Sequence, residues 1–130
     1  MPKITGTYAM ADWQEDVWRD EPSPLKLTRV AAHGKMSGGL TGSAKTFYLI
    51  AYVTAEKGPY TGYTQFTGTL DGKSGSFTLA DTGIFEPASA TTRWEIVENS
   101  GTDELAGISG SGGFKASEGM TFDFELDYAL

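Results

Sequence analysis

From Lys3 to the C-terminus, apolar and polar residues alternate in short runs with a period of two rather than three to four. That period places successive side chains on opposite faces of a β-strand. The clearest case is Tyr63 to Phe85, which reads as two strands folded back around Asp71-Gly72. Asp-Gly suits a type I′ turn, because both central residues of that turn need positive φ. With this turn Leu70 faces Lys73, Gly68 faces Gly75 and Phe66 faces Phe77. One face of the hairpin then carries Phe66, Leu70, Phe77 and Leu79; the other carries Gln65, Thr67, Thr69, Ser76 and Thr78.

The same period predicts the remaining strands. Lys3 to Trp13 is a first strand, with Tyr8, Met10 and Asp12 on one face and Thr7, Ala9, Ala11 and Trp13 on the other. Gln14 to Pro24 reads as a polar connection, since Pro22 and Pro24 cannot continue a ladder. Trp18 within it is expected either to plug the core or to line a ligand entrance. In Leu25 to Met36, Arg29 shares a face with Leu27 and Ala31, opposite Thr28, Val30 and Ala32. That alternation makes Arg29 a candidate for the interior, although an exposed arginine is commoner on a strand.

Ser43 to Ala55 is apolar on both faces from Phe47 to Val53. The expectation is lumen on one side and a partner subunit, or a covering segment, on the other. Ala90 to Val97 sets Trp94 and Ile96 together, and Gly107 to Ala116 is rich in glycine. Met120 to Leu130 alternates Phe122, Phe124, Leu126 and Tyr128 with Asp123, Glu125 and Asp127. Eight strands in sequential hairpins and no helix predict an all-β fold, a closed eight-stranded antiparallel β-barrel in a single domain, 1–130. Such a barrel has an interior just wide enough for side chains or one small ligand.

Composition narrows the chemistry. Zero cysteines remove disulfides, thiolate nucleophiles and thiolate metal sites, and the lone histidine, His33, cannot build a His-rich zinc site. Asp123, Glu125 and Asp127 have the spacing of any exposed strand face and no calcium-loop pattern, so neither metal nor cofactor is expected. Ten basic against seventeen acidic residues give a net charge of −7, which repels a phosphate backbone. No apolar run is long enough to span a membrane, and the N-terminus lacks a signal-peptide core, so the expected location is cytoplasmic.

No Ser-His-Asp or phosphate-loop pattern is present. Acid–base chemistry would have to come from Glu95, Asp81, His33 or a tyrosine such as Tyr48, Tyr52 or Tyr128. Asp81 is the best candidate, because it shares the hairpin face of Phe77 and Leu79, where desolvation would raise its pKa. The alternative is that Asp81-Thr82-Gly83 forms a bulge or strand end open to solvent.

Phe66 to Phe85 and Ser100 to Phe114 resemble the two signature stretches of the domain of unknown function 3224 family, small bacterial proteins with an allene-oxide-cyclase-like barrel. Leu25 to Val30, Phe47 to Tyr52, the Trp94 strand and Leu126 to Tyr128 fit the same pattern. Two positions depart from it: Gln65 and its neighbour stand where a Glu-Arg pair is frequent, and Asp81 where a histidine is frequent. The resemblance implies the barrel and, through architectural relatives such as allene oxide cyclase, dirigent proteins and spirotetronate-forming cyclases, a lumen that shapes a reactive small molecule. Catalysis by positioning and water exclusion needs no sequence motif.

The resulting expectation is a cofactor-independent cyclase or isomerase acting on an apolar metabolite in the lumen, with a second copy of the chain as a partner. Asp81, Arg29 and Tyr52 would supply catalytic polar contacts; Phe66, Phe77, Leu79, Trp94, Gln65 and Tyr48 would contact the ligand. Two other readings stand beside it: a non-catalytic carrier of a small hydrophobic ligand, and a filled barrel acting through its surface.

Overall fold

A computed structural model describes residues 2–19, 26–87, 89–116 and 121–130, without the side chains of residues 18 and 19. The expected place of Trp18 in the core or at an entrance therefore lies outside the described residues. Eight strands follow in order: β1 (Lys3–Arg19), β2 (Lys26–Gly38), β3 (Leu40–Tyr52), β4 (Gly58–Leu70), β5 (Lys73–Glu86), β6 (Ser89–Ile96), β7 (Ser109–Ala116) and β8 (Thr121–Ala129). Each pairs with its neighbour in sequence, and β1 pairs antiparallel with β8 to close the barrel. Closure leaves no sheet edge exposed.

The central hairpin forms as its sequence predicts. Asp71 and Gly72 have φ of 50° and 81°, the type I′ combination, and Phe66 pairs with Phe77 and Gly68 with Gly75. Phe66, Leu70, Phe77 and Leu79 are buried. Inward parity also holds on β6 and β8, where Trp94, Ile96, Phe122, Phe124, Leu126 and Tyr128 are buried.

β1 departs from its expected length and facing. It runs on through Gln14–Arg19, which had read as a polar connection. Ala11 pairs with His33 but Gln14 with Ala31, so β1 carries one residue more than β2 between those pairs. Asp12, at φ 52°, absorbs that extra residue as a β-bulge. Parity therefore inverts: Tyr8 and Met10 point inward before the bulge, while after it Trp13 and Glu15 reach the lumen. β2 leaves Arg29 on the commoner, exposed side and not in the interior, where a catalytic role would need it. Thr28, Val30 and Ala32 are buried, so Arg29 lies on the outside with Ala31 and His33. On β3, Tyr48 and Ile50 face in, whereas Phe47 and Leu49 remain about half exposed on the outer surface. No covering segment lies over them among the described residues.

The lumen divides into two halves. At the lower end, Met36, Leu40, Phe66, Leu70, Phe77, Leu79 and Leu126 pack together, each essentially without exposure. The connection between β6 and β7 closes that end: a short 3-10 helix, Asp103–Leu105, drives Leu105 and then Ile108 into the packing. Backbone bonds from Thr102 N to the Ser76 carbonyl (2.9 Å) tie this segment down. The upper half holds a smaller cluster of Val30, Tyr48, Ile50 and Tyr60, and it is open.

Candidate functional site: an aromatic cavity above a buried carboxyl

The open half is a cavity of about 540 Å³, walled by late β1, the end of β3, the start of β4 and the strand ends of β5 to β8. Its wall includes Met10, Trp13, Tyr48, Ile50, Tyr60 and Phe122. Volumes of this size accommodate an ordinary small-molecule ligand.

Beneath it lies a row of residues that cross-strand register sets side by side. Tyr48 on β3 pairs with Gly62 on β4, Gly62 with Asp81 on β5, and Asp81 with Trp94 on β6. Gly62 contributes no side chain, so its neighbours close over it. The Tyr48 hydroxyl donates to Asp81 Oδ2 at 2.8 Å, and Trp94 Nε1 donates to the same oxygen at 3.1 Å. Thr64 Oγ1 adds a third bond at 2.9 Å. Since Thr64 donates to Asp81, it accepts from Thr46 (3.0 Å), which in turn accepts from Tyr8 (3.0 Å). A directed hydroxyl chain thus runs across the barrel and ends on one carboxylate oxygen.

Asp81 has no solvent exposure, and its other oxygen, Oδ1, has no hydrogen-bond partner. Desolvation raises its pKa from 3.8 to about 6, although the bonds from Tyr48, Thr64 and Trp94 pull it down. With Oδ2 taking three donors, the proton of the neutral acid belongs on Oδ1. The tyrosines around it respond. Burial first, then the nearby Asp81 charge and hydrogen bond, pushes the Tyr48 hydroxyl well above its ordinary range. Tyr48 therefore stays protonated and serves as a donor. A row higher, Tyr60 lies over Gly83 and bonds Thr92 at 2.5 Å.

A second carboxylate stands in the cavity wall. Glu15 accepts from Tyr52 (2.6 Å) and Thr28 (2.8 Å) through Oε2 and from Trp13 Nε1 (3.0 Å) through Oε1. Partial burial raises its pKa, but these bonds outweigh it and leave the net shift downward, so Glu15 is ionised.

The structure sorts the expected site residues. Asp81, Tyr48 and Trp94 come together below the cavity, and Tyr52 stands at its rim. The bulge reading of Asp81 is excluded, because its pairing with Gly62 and Trp94 is regular. Phe66, Phe77 and Leu79 belong to the packed lower half and do not form the cavity wall. Arg29 and Gln65 project outward, since their inward neighbours are Thr28, Val30, Thr64 and Phe66. Trp13, Glu15 and Tyr60 were missed. Nothing in strict alternation predicts the first two, because the bulge at Asp12 reverses which residues of β1 face in. Tyr60 precedes the stretch read as a hairpin from Tyr63, whereas the strand starts at Gly58.

Among the described residues, no helix is long and apolar enough to cross a membrane, and no group of three or more acidic or histidine side chains is placed to hold a metal ion. A family model described as a protein of unknown function, DUF3224, matches residues 4–128. A crystal structure of a DUF3224-family protein of unknown function from Shewanella oneidensis MR-1 superposes with a TM-score of 0.84 at 24% identity, over 100% of this chain and 98% of that one. It carries the same fold. No curated protein matches the chain.

Proposed function

The chain belongs to the DUF3224 family of proteins of unknown function, and we propose that it binds one small, mainly apolar molecule in the open half of its barrel. The observation that carries this reading is the division of the lumen. One half is filled by fully buried apolar side chains, while the other is a cavity of about 540 Å³ with an aromatic wall. Filling such a space removes apolar surface from water on both sides, at roughly 25 cal/mol per Å² before the cost of association. Titration with the neutral fluorophore N-phenylnaphthylamine should give saturable enhancement of its emission. Ala90, in the wall opposite Ala116, offers the control. Ala90→Phe fills the cavity from its mouth and should weaken binding about tenfold or more, as expected for overpacking a well-fitted site. No saturable binding by the folded wild type would sink this reading.

A second reading, in which the bound molecule is isomerised or cyclised without a cofactor, is favoured by the unpartnered Oδ1 of Asp81. A carboxyl whose pKa lies near 6 exchanges a proton readily near neutrality, and Tyr48 links it to the cavity wall. The bound molecule would be held in a reactive shape by the aromatic wall; the ionised Asp81 would receive the Tyr48 hydroxyl proton on Oδ2 as that hydroxyl takes one from the bound molecule, and the reverse transfer would return a proton to the product. Asp81→Asn keeps an acceptor for Tyr48, Thr64 and Trp94 but cannot exchange that proton. In this reading the variant retains ligand affinity and loses turnover of any small molecule that the wild type is found by mass spectrometry to bind and convert; unchanged turnover would remove Asp81 from the mechanism.

A further inference from the structure

We propose that the molecule bound in the cavity carries a positive charge, an amine or quaternary ammonium on an apolar body, and that Glu15 is its countercharge. This rests on the cavity being a binding site and names the class of its occupant. The charged residues in the cavity wall are Asp12, Glu15 and Glu86, all acidic; among the described residues no lysine or arginine contributes to it. The basic groups described near this wall, His33 at 2.7 Å from Asp12 and Lys26 at 5.8 Å from the Tyr52 ring, do not line the cavity, so an anionic head group would meet no described cation in its wall.

The three partners of Glu15, Trp13, Thr28 and Tyr52, are neutral donors, and no described basic side chain forms an ion pair with it. Lys26 acts on it only through its charge, as the smallest of the influences on its pKa, and its Nζ lies 5.8 Å from the centre of the Tyr52 ring. Neutral donors fix the direction of a carboxylate without cancelling its charge. Aromatic rings share the wall with it: Trp13, whose Nε1 donates to Glu15, packs edge-on to Tyr48 at 6.4 Å, and Tyr48 lies 4.8 Å from Tyr60. A carboxylate among aromatic rings is the arrangement that holds ammonium groups, each cation–π contact adding about 0.5–2 kcal/mol. A role for Glu15 confined to pinning β1 across the barrel mouth would need its hydrogen bonds and not its charge.

The test uses dansylcadaverine, which ends in a primary ammonium, and its N-acetylated form, which is neutral and otherwise matched. Both are titrated into the intact protein at low, constant ionic strength. The expected result is about tenfold tighter binding of the ammonium form, a size consistent with one partly desolvated charge pair and a cation–π contact. Glu15→Gln keeps the side chain's length and one acceptor but removes its charge; it should erase the difference between the two forms. Glu125→Gln, on the outer face of β8, changes the net charge equally and should leave the preference intact. Equal binding of the two forms, or a preference that survives Glu15→Gln, overturns the assignment while the cavity remains a binding site. Failure of both forms and of N-phenylnaphthylamine to bind overturns the binding site itself, and this assignment with it.

Discussion

Between about pH 4 and about pH 8, the wild-type protein is expected to lose roughly 2–3 kcal/mol of stability relative to its Asp81→Asn variant. The folded-state pKa of Asp81 is about 6, raised from 3.8. A raised carboxyl favours the fold in its protonated form. Its contribution is complete below the ordinary value of 3.8 and is lost as pH climbs through about 6. Above that point the fold must hold a charged carboxylate away from water, against which Tyr48, Thr64 and Trp94 offer three neutral hydrogen bonds. The asparagine variant does not titrate, so the difference between the two isolates this one group. Its amide nitrogen replaces the unpartnered Oδ1, which adds a cost that does not vary with pH. Urea denaturation of both proteins across the range gives the difference directly. Parallel stability profiles would mean that Asp81 is not desolvated in solution.

Phe66→Ala is expected to cost about 3–5 kcal/mol. The Phe66 ring has no exposure and lies 5.3 Å from that of Phe77, in the half of the barrel where Leu40, Leu70 and Leu79 leave no gap. Deleting it forfeits the transfer free energy of the ring and opens a void that a closed barrel cannot collapse, because the ladder holds every strand on both sides. The cavity of the upper half does not include Phe66, so binding of N-phenylnaphthylamine by the folded fraction should survive. A midpoint shift equivalent to less than about 1 kcal/mol would show that the lower half is not tightly packed.

The contrast between these two positions shows what alternation can and cannot reveal. Phe66 and Asp81 share one face of the central hairpin by parity; the sequence placed Phe66 inside and left Asp81 either inside or on a bulge open to solvent, and the structure buries both. Their separate fates, one in dry packing and one at the foot of a cavity, depend on how high each stands in the barrel. That height follows from the stagger of all eight strands. Gly62 illustrates it further: as a letter it is a weak strand residue, but between Tyr48 and Asp81 it is the gap that lets a hydroxyl reach a carboxylate.

Arg29 and Trp13 were misplaced for a related reason. Facing on a strand needs both a period and an origin, and a single extra residue moves the origin. Asp12 supplies that residue on β1 and brings Trp13 and Glu15 to the lumen. On β2 both faces carry apolar residues, so Thr28, Val30 and Ala32 were as plausible an outer face as Leu27, Arg29 and Ala31. Closure of the barrel selected between them.

By itself, then, the sequence determined the central turn and its register, most of the strands and the barrel, and it offered Asp81 as one of two possibilities, inward or open to solvent, because two-residue periodicity and local turn chemistry reach no further. Only the tertiary structure decided that half of the lumen is filled and half is open. It alone placed Glu15 in the cavity wall and left Arg29 outside. Those outcomes depend on bulges, stagger and the plug made by Leu105 and Ile108, which join residues far apart in the chain. Local patterns carry no information about such distances.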